Sequence, residues 1–185
     1  MVTPARVREL LELHGTCEPQ DQSEWTGNIP LPDAIATFYR DVGPVNITIE
    51  GYGNPTFIPR LSQLWERQAG YRWNGFSGET IDSWDNEWIV VADEGADPYI
   101  YCTGRILFAQ HGAGVWKPDE IYPDLNTMAA CLATLGAIVL KGGKDLTNEE
   151  CYIRPQYRAE AVSRLAEIVG DKHLAEAIVV TAGWG

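Results

Sequence analysis

The sequence predicts an α+β fold built around an antiparallel meander. Segments with apolar residues three and four positions apart flank the chain at both ends, as amphipathic helices require. Between them, residues 88–116 break into short runs of aromatic and β-branched residues separated by Gly- and Pro-bearing turns. Turns this short cannot hold a parallel crossover, so the strands they join have to run antiparallel. A chain of 185 residues, 45% hydrophobic and 22% charged, is sized for one well-buried core.

The first helix is expected over PARVRELLELHG (residues 4–15): Pro4 suits the opening turn and Thr3 caps it. Val7, Leu10, Leu11 and His14 share a face, and Gly15 ends it. A histidine at the edge of an apolar stripe is expected to pack rather than to bind a ligand. CEPQDQSEWTGNIP (17–30) is polar and proline-bearing and reads as a loop. LPDAIATFYRDVGP (31–44) is the clearest helix. Pro32 and Asp33 suit its positive end, Ile35, Phe38, Tyr39 and Val42 form its stripe, and Gly43-Pro44 stop it. VNITIEGY (45–52) alternates as a half-buried strand does. IPRLSQLWERQAGY (58–71) returns to helical spacing through Leu61, Leu64 and Trp65, and RWNGFSGETIDSWDNE (72–87) is turn-rich and irregular.

EWIVVADEGADPYIYC (87–102) and GRILFAQHGAGVW (104–116) then read as three short strands, with DEGADP, Thr103-Gly104 and HGAG as the breaks. A helix opens near Asn126, burying one face through Leu125, Met128, Leu132, Leu135 and Val139; KGGK (141–144) interrupts it. RPQYRAEAVSRLAEIVG (154–170) is a further amphipathic helix ending at Gly170, and DKHLAEAIVV (171–180), capped by Asp171, is another. The tail TAGWG either frays or docks through Trp184. No internal repeat, low-complexity tract or domain boundary interrupts the chain, so a single domain over 1–185 is expected.

Charge narrows the function. Twenty-six acidic against 14 basic residues leave a net charge of −12. That balance disfavours nucleic acid and anionic lipid, whose binding rests on Lys and Arg, and favours a basic partner. No continuous apolar run reaches the roughly 18 residues of a membrane span. The N-terminus lacks the apolar core of a signal peptide, so a cytoplasmic location is expected. In that compartment Cys17, Cys102, Cys131 and Cys151, which form no CxxC pair, are expected to serve as small buried hydrophobes.

The stretch WIVVADEGADPYIYC (88–102) places Asp93, Glu94 and Asp97 within five positions. A glycosidase pair needs carboxyls roughly 5–10 Å apart around a cleft with opposed environments, and a solvated two-strand turn offers nothing to raise one pKa above the other. An EF-hand loop needs oxygens at alternating positions beyond Asp97, where strand residues follow instead. Zinc-ligand spacing is absent. Cys102 and His111 could lie on neighbouring strands, but no orienting third group or oxyanion hole accompanies them; His111 is expected to bond a turn backbone. GGK follows a helix and lacks phosphate-loop spacing. The residues therefore predict no catalytic, cofactor or metal site.

Several pieces occur together in one order: the helix LPDAIATFYRDVGP, then the run W-x-V-x-A-D-x-G-x-D-P-Y at 88–99, then G-x-I ahead of HG-x-G-x-W at 104–116, then a helix near DLNTM. In that order and spacing the chain resembles the SUKH superfamily over about residues 25–140, leaving a helical part at 141–185 outside. The resemblance implies a twisted, mainly antiparallel sheet with α-helices packed against it. It also implies a non-enzymatic protein-binding role, most often immunity against bacterial toxins, with a regulatory or scaffold role of the yeast cell-wall assembly kind as the alternative; apart from the resemblance, a small hydrolase is the third reading. Under it, Asp93 and Asp97 are turn-forming acids that bond local backbone amides. The expected partner is a toxin domain with a basic surface. Asp82, Asp85, Glu87, Asp93, Glu94 and Asp97 are placed nearest it, with Trp84, Trp88, Tyr99 and Tyr101 as aromatic anchors.

Overall fold

A computed structural model describes residues 2–112 and 115–184. Its helices are α1 (Pro4–Leu11), α2 (Asp33–Asp41), α3 (Leu61–Leu64), α4 (Leu125–Gly142), α5 (Pro155–Val169) and α6 (Lys172–Thr181). Its strands are β1 (Thr16–Cys17), β2 (Pro44–Val45), β3 (Ile47–Ile49), β4 (Thr56–Ile58), β5 (Ile89–Glu94), β6 (Asp97–Cys102), β7 (Arg105–Phe108) and β8 (Asp119–Tyr122). The strands β3 to β8 lie side by side in chain order as one antiparallel sheet, and β1 and β2 pair as a separate ribbon. The fold is α+β, with helices packed against an antiparallel meander.

Local chemistry sets the helix ends. The Thr3 hydroxyl accepts from the Arg6 amide at 3.4 Å, the Asp124 carboxylate from Thr127 at 2.7 Å, and Asp171 from His173 and Leu174 at 2.7 and 3.1 Å. Gly170 closes α5 in the left-handed conformation that glycine adopts without cost. Gly43 after α2 has φ +69°, and a side chain there would collide with the Glu18 carbonyl.

Helix α4 departs from the single buried face expected of it. Thirteen of its 18 residues are buried, because α1 and α5 flank it while the sheet covers another side. Gly136 permits the closest approach, since a Cβ there would run into Ile49 and His14. His14 sits past the end of α1, and its ring Nε2 bonds the Ala133 carbonyl at 2.8 Å, a packing role. Residues 125–145 are long and apolar enough on average to cross a membrane, although no continuous apolar run suggested it; 72% of the most apolar stretch is buried inside the fold.

Each face of the sheet is covered differently. Ile89, Val91, Ala92, Tyr99, Tyr101, Ile106 and Tyr122 join the helices in the main core. Val90 and Ile100 point the other way, under Trp84, with Tyr71, Trp88, Leu107 and Trp116 around them. A register shift between Val90 and Ala92 puts Val91 and Ala92 on the same face and resets the alternation beyond them.

Some expected boundaries move. The helix expected over 58–71 contracts to α3 and a 3₁₀ turn at Glu66–Gln68. Strands β4 and β8 were not expected: one is three residues between prolines, the other begins with two acids. The HGAG turn falls partly outside the described residues, at Ala113 and Gly114. Cys17 and Cys131 are buried as expected, whereas Cys102 is half-buried and Cys151 is exposed at φ +64°. The tail docks: Trp184 is buried, and its carbonyl accepts from Arg158 Nε at 3.0 Å.

Candidate functional site

The acids of the 88–102 stretch lie at strand ends, not in the turn. Strand β5 runs through Glu94 and β6 starts at Asp97, so the turn is Gly95-Ala96 alone. Both have positive φ, +60° and +82°, which matches a type I′ hairpin and the right-handed twist of its strands. A side chain at Gly95 would strike Asn54.

Successive strand residues face opposite sides of a sheet, and that separates Asp93 from Glu94. Asp93, on the loop-covered side, is 4.0 Å from the Arg67 guanidinium, which in turn lies 4.2 Å above the Phe57 ring. Glu94, on the helix side, accepts from the Tyr99 hydroxyl at 3.3 Å. Asp97 accepts through one oxygen from the His111 backbone amide at 2.7 Å and faces that residue's Nδ1 at 2.6 Å. A carboxylate can only accept, so Nδ1 carries the proton. Asp97 thus ties the loop after β7 to the start of β6, as an acid bonding a backbone amide, though one 14 residues away rather than in its own turn. Among the described residues the Asp93 side chain bonds no backbone amide; its partner is Arg67.

Burial gives these acids an environment that the sequence did not reveal. Desolvation holds the Asp93 carboxyl above the usual range, against the lowering influence of Arg67. Desolvation also raises Glu94, opposed by the Tyr99 hydroxyl and assisted by Asp97. The expectation of a freely solvated turn is therefore corrected. Beside Asp93 opens a shallow pocket of about 530 Å³, lined by Gln63, Glu66, Arg67, Tyr71 and Ala96 among others. Burial raises the Tyr71 hydroxyl pKa, with Asp93 and then Asp97 adding to it.

The remaining expected residues divide. Asp82, Asp85 and Glu87 are exposed on the loop before β5, where Asp85 caps the Glu87 amide at 2.8 Å. Among the described residues none of the three bonds to the Asp93–Asp97 group. Trp84, Tyr99 and Tyr101 are buried, so they cannot act as exposed anchors. Trp84 packs edge-on against Trp88 at 5.2 Å and Trp116 at 5.6 Å, while the two tyrosines belong to the main core. Trp88 is half-buried. Cys102 and His111 sit at opposite ends of β6, Cys102 beside Arg105 and His111 on Asp97, so they form no pair.

Sequence reasoning missed Arg67 and Tyr71, which no spacing links to Asp93. It also missed Phe76, which is fully exposed. Its signal was present: a large apolar residue inside the glycine-bearing turn NGFSG. Among the described residues no group of three or more His, Cys, Asp or Glu could hold a metal ion. Comparison of the chain with protein-family models, curated proteins and solved structures yields no match.

Proposed function

We propose that this chain is a non-enzymatic, SUKH-type protein-binding domain, an immunity protein that neutralises a cognate bacterial toxin by occupying a basic surface on it. The observation that carries the reading is the acidic end of the meander on a chain of net charge −12. There Asp93, Glu94 and Asp97 are held by Arg67, Tyr99 and His111 respectively. Acids fixed before encounter lose little side-chain entropy on binding, and a field of one sign accelerates capture of an oppositely charged partner. The exposed loop acids Asp82, Asp85 and Glu87 extend the field, and the fully exposed Phe76 on the same loop supplies an aromatic anchor of the kind enriched in binding hot spots. The agreement in fold class with what the resemblance implies supports the architecture; function rests on the charged face.

The test is capture of the product of the neighbouring toxin gene by the wild-type chain and by a variant with Asp82, Asp85 and Glu87 changed to lysine. These side chains are exposed, and the one bond lost, from the Glu87 amide to Asp85, lies in a surface turn open to water. The fold is therefore expected to persist, which circular dichroism of the variant checks. The association rate is expected to fall about tenfold or more at low salt and to converge on the wild-type rate at high salt. Equal rates at low salt, with toxin protection intact, would overturn the assignment of this face.

A further inference from the structure

Against the 70–88 loop lies a pocket of about 370 Å³ that no carboxylate lines, on a chain whose surface is otherwise acidic. Trp65 and Trp73 form its wall, with ring centroids 5.0 Å apart and planes tilted by 44°, and Trp25 meets Trp65 edge-to-face at 5.5 Å. The floor is Arg72, only 9% exposed in a chain that is otherwise strongly acidic. Its guanidinium lies 5.7 Å from the Trp65 ring centroid, and its Nη2 donates to the carbonyls of Asn86 at 2.6 Å and Trp88 at 3.0 Å. Among the described residues its buried Nε has no hydrogen-bond partner. A buried N–H left unpaired costs about 1–3 kcal/mol, more on a charged group.

The pocket lining carries one cationic donor, two indoles and no carboxylate. Trp25 and Trp84 place their indole N–H groups on carbonyls, but among the described residues Trp65 and Trp73 make no such bond. Asn28, Thr80 and Asn86 complete the lining, and Arg72 is its sole ionised group. Asp85, the carboxylate whose field reaches Arg72, makes no ion pair with it. The walls are held in place by the backbone: Trp73 bridges Thr80, Asn74 bonds Glu79 at 2.8 Å, and Ile81 bonds Arg72 at 3.0 Å.

We propose that this pocket binds a small monocarboxylate with a flat apolar body, its ring against Trp65 and Trp73 and its carboxylate on Arg72. A cation would be repelled by the guanidinium. A phosphate dianion would meet one guanidinium against a net charge of −12, whereas a monocarboxylate brings one charge, and Nη1, the terminal nitrogen that Asn86 and Trp88 leave free, is the donor it would meet. The site is independent of the partner-binding reading, because the acids invoked there do not line it.

The test uses the full chain labelled with ¹⁵N, titrated with benzoate, benzamide and benzamidinium while the indole N–H resonances are followed. The Trp65 and Trp73 signals, assigned with Trp→Phe variants, are expected to move saturably with benzoate at a Kd on the order of 1 mM. Benzamide should bind about tenfold more weakly or worse, since it lacks the charge-assisted bond, and benzamidinium should not bind. Asn86→Asp alters an exposed side chain, keeps the backbone carbonyl that Arg72 uses and adds a competing carboxylate. It is expected to lower benzoate affinity by a similar factor while leaving the spectrum folded. Equal response to benzoate and benzamide, no saturable movement of either signal, or undiminished affinity in folded Asn86→Asp would each overturn the assignment.

Discussion

At Glu94 burial and hydrogen bonding pull one carboxylate in opposite directions. Desolvation raises its pKa most, the Tyr99 hydroxyl lowers it, and Asp97 raises it again, leaving the folded value above the ordinary one. The folded state therefore holds the Glu94 proton more tightly than the unfolded chain does. The stability this contributes is present at acid pH and is lost as pH rises from the unfolded value, about 4.3, through the raised folded value. Glu94→Gln keeps an acceptor for Tyr99 and removes the charge. Its melting temperature is expected to exceed that of the wild type by about 1–2 °C at pH 7, an effect kept small by solvent screening, and the gap should close near pH 4. Thermal unfolding across that range checks it; a gap that widens toward acid would show that the hydroxyl bond outweighs burial. Ala96 beside it sits at φ +82°, a conformation that β-carbon sterics disfavour, and is held there by the two-residue turn.

At the scale of elements, β5 depends on a side chain from outside the sheet. Its register with β4 covers only Thr56 with Glu94 and Phe57 with Asp93, so the N-terminal half of β5 has no strand on that edge. Gln68 fills the gap. Its amide accepts from the Val90 N–H at 2.9 Å and donates to the Val90 carbonyl at 2.9 Å, as a paired strand residue would, and it also donates to the Leu64 carbonyl. Gln68 is fully buried, so no water can substitute. Gln68→Leu preserves most of the volume but orphans both Val90 groups, and is expected to cost about 2–4 kcal/mol. The denaturation midpoint should fall accordingly, and the Val90 amide should lose hydrogen-exchange protection before its neighbours on the β6 side. Unchanged exchange at Val90 would show that the sheet closes that edge by other means.

Across the whole molecule, the chain ends are brought onto the same central helix: α1 packs on one part of α4 and α5 on another, with α6 behind α5. The buried Trp184 and the Arg158 bond to its carbonyl secure the tail. Trp184→Ala removes a fully buried indole and is expected to destabilise by about 3–5 kcal/mol, read as a shift in the chemical-denaturation midpoint. A change below 1 kcal/mol would mean the tail is peripheral to the core.

How much of this could be read beforehand follows from the range of the interactions involved. The helices at 33–41, 155–169 and 172–181, their Gly and Asp stops and caps, and the β5–β6 hairpin were all readable in the residues, because each is decided by neighbours within a turn or two. Strands β4 and β8 were not, since three or four residues show no period and acquire strand geometry only from the partner beside them. The burial of Tyr99 and Tyr101 depended on the helices packed over their face of the sheet, and that of Trp84 on the loop folding over the other face, onto Val90 and Ile100. The pairing of Asp93 with Arg67, of Asp97 with His111 and of Val90 with Gln68 joins residues far apart in sequence. Composition determined that the protein would be acidic, and the spacing of apolar and turn residues that it would be α+β; only the tertiary structure decided which acids are held, which aromatics are spent inside, and that a buried arginine lies against an indole wall. The reason is that a side chain's environment is set by what packs against it, and the chain brings those neighbours from elsewhere.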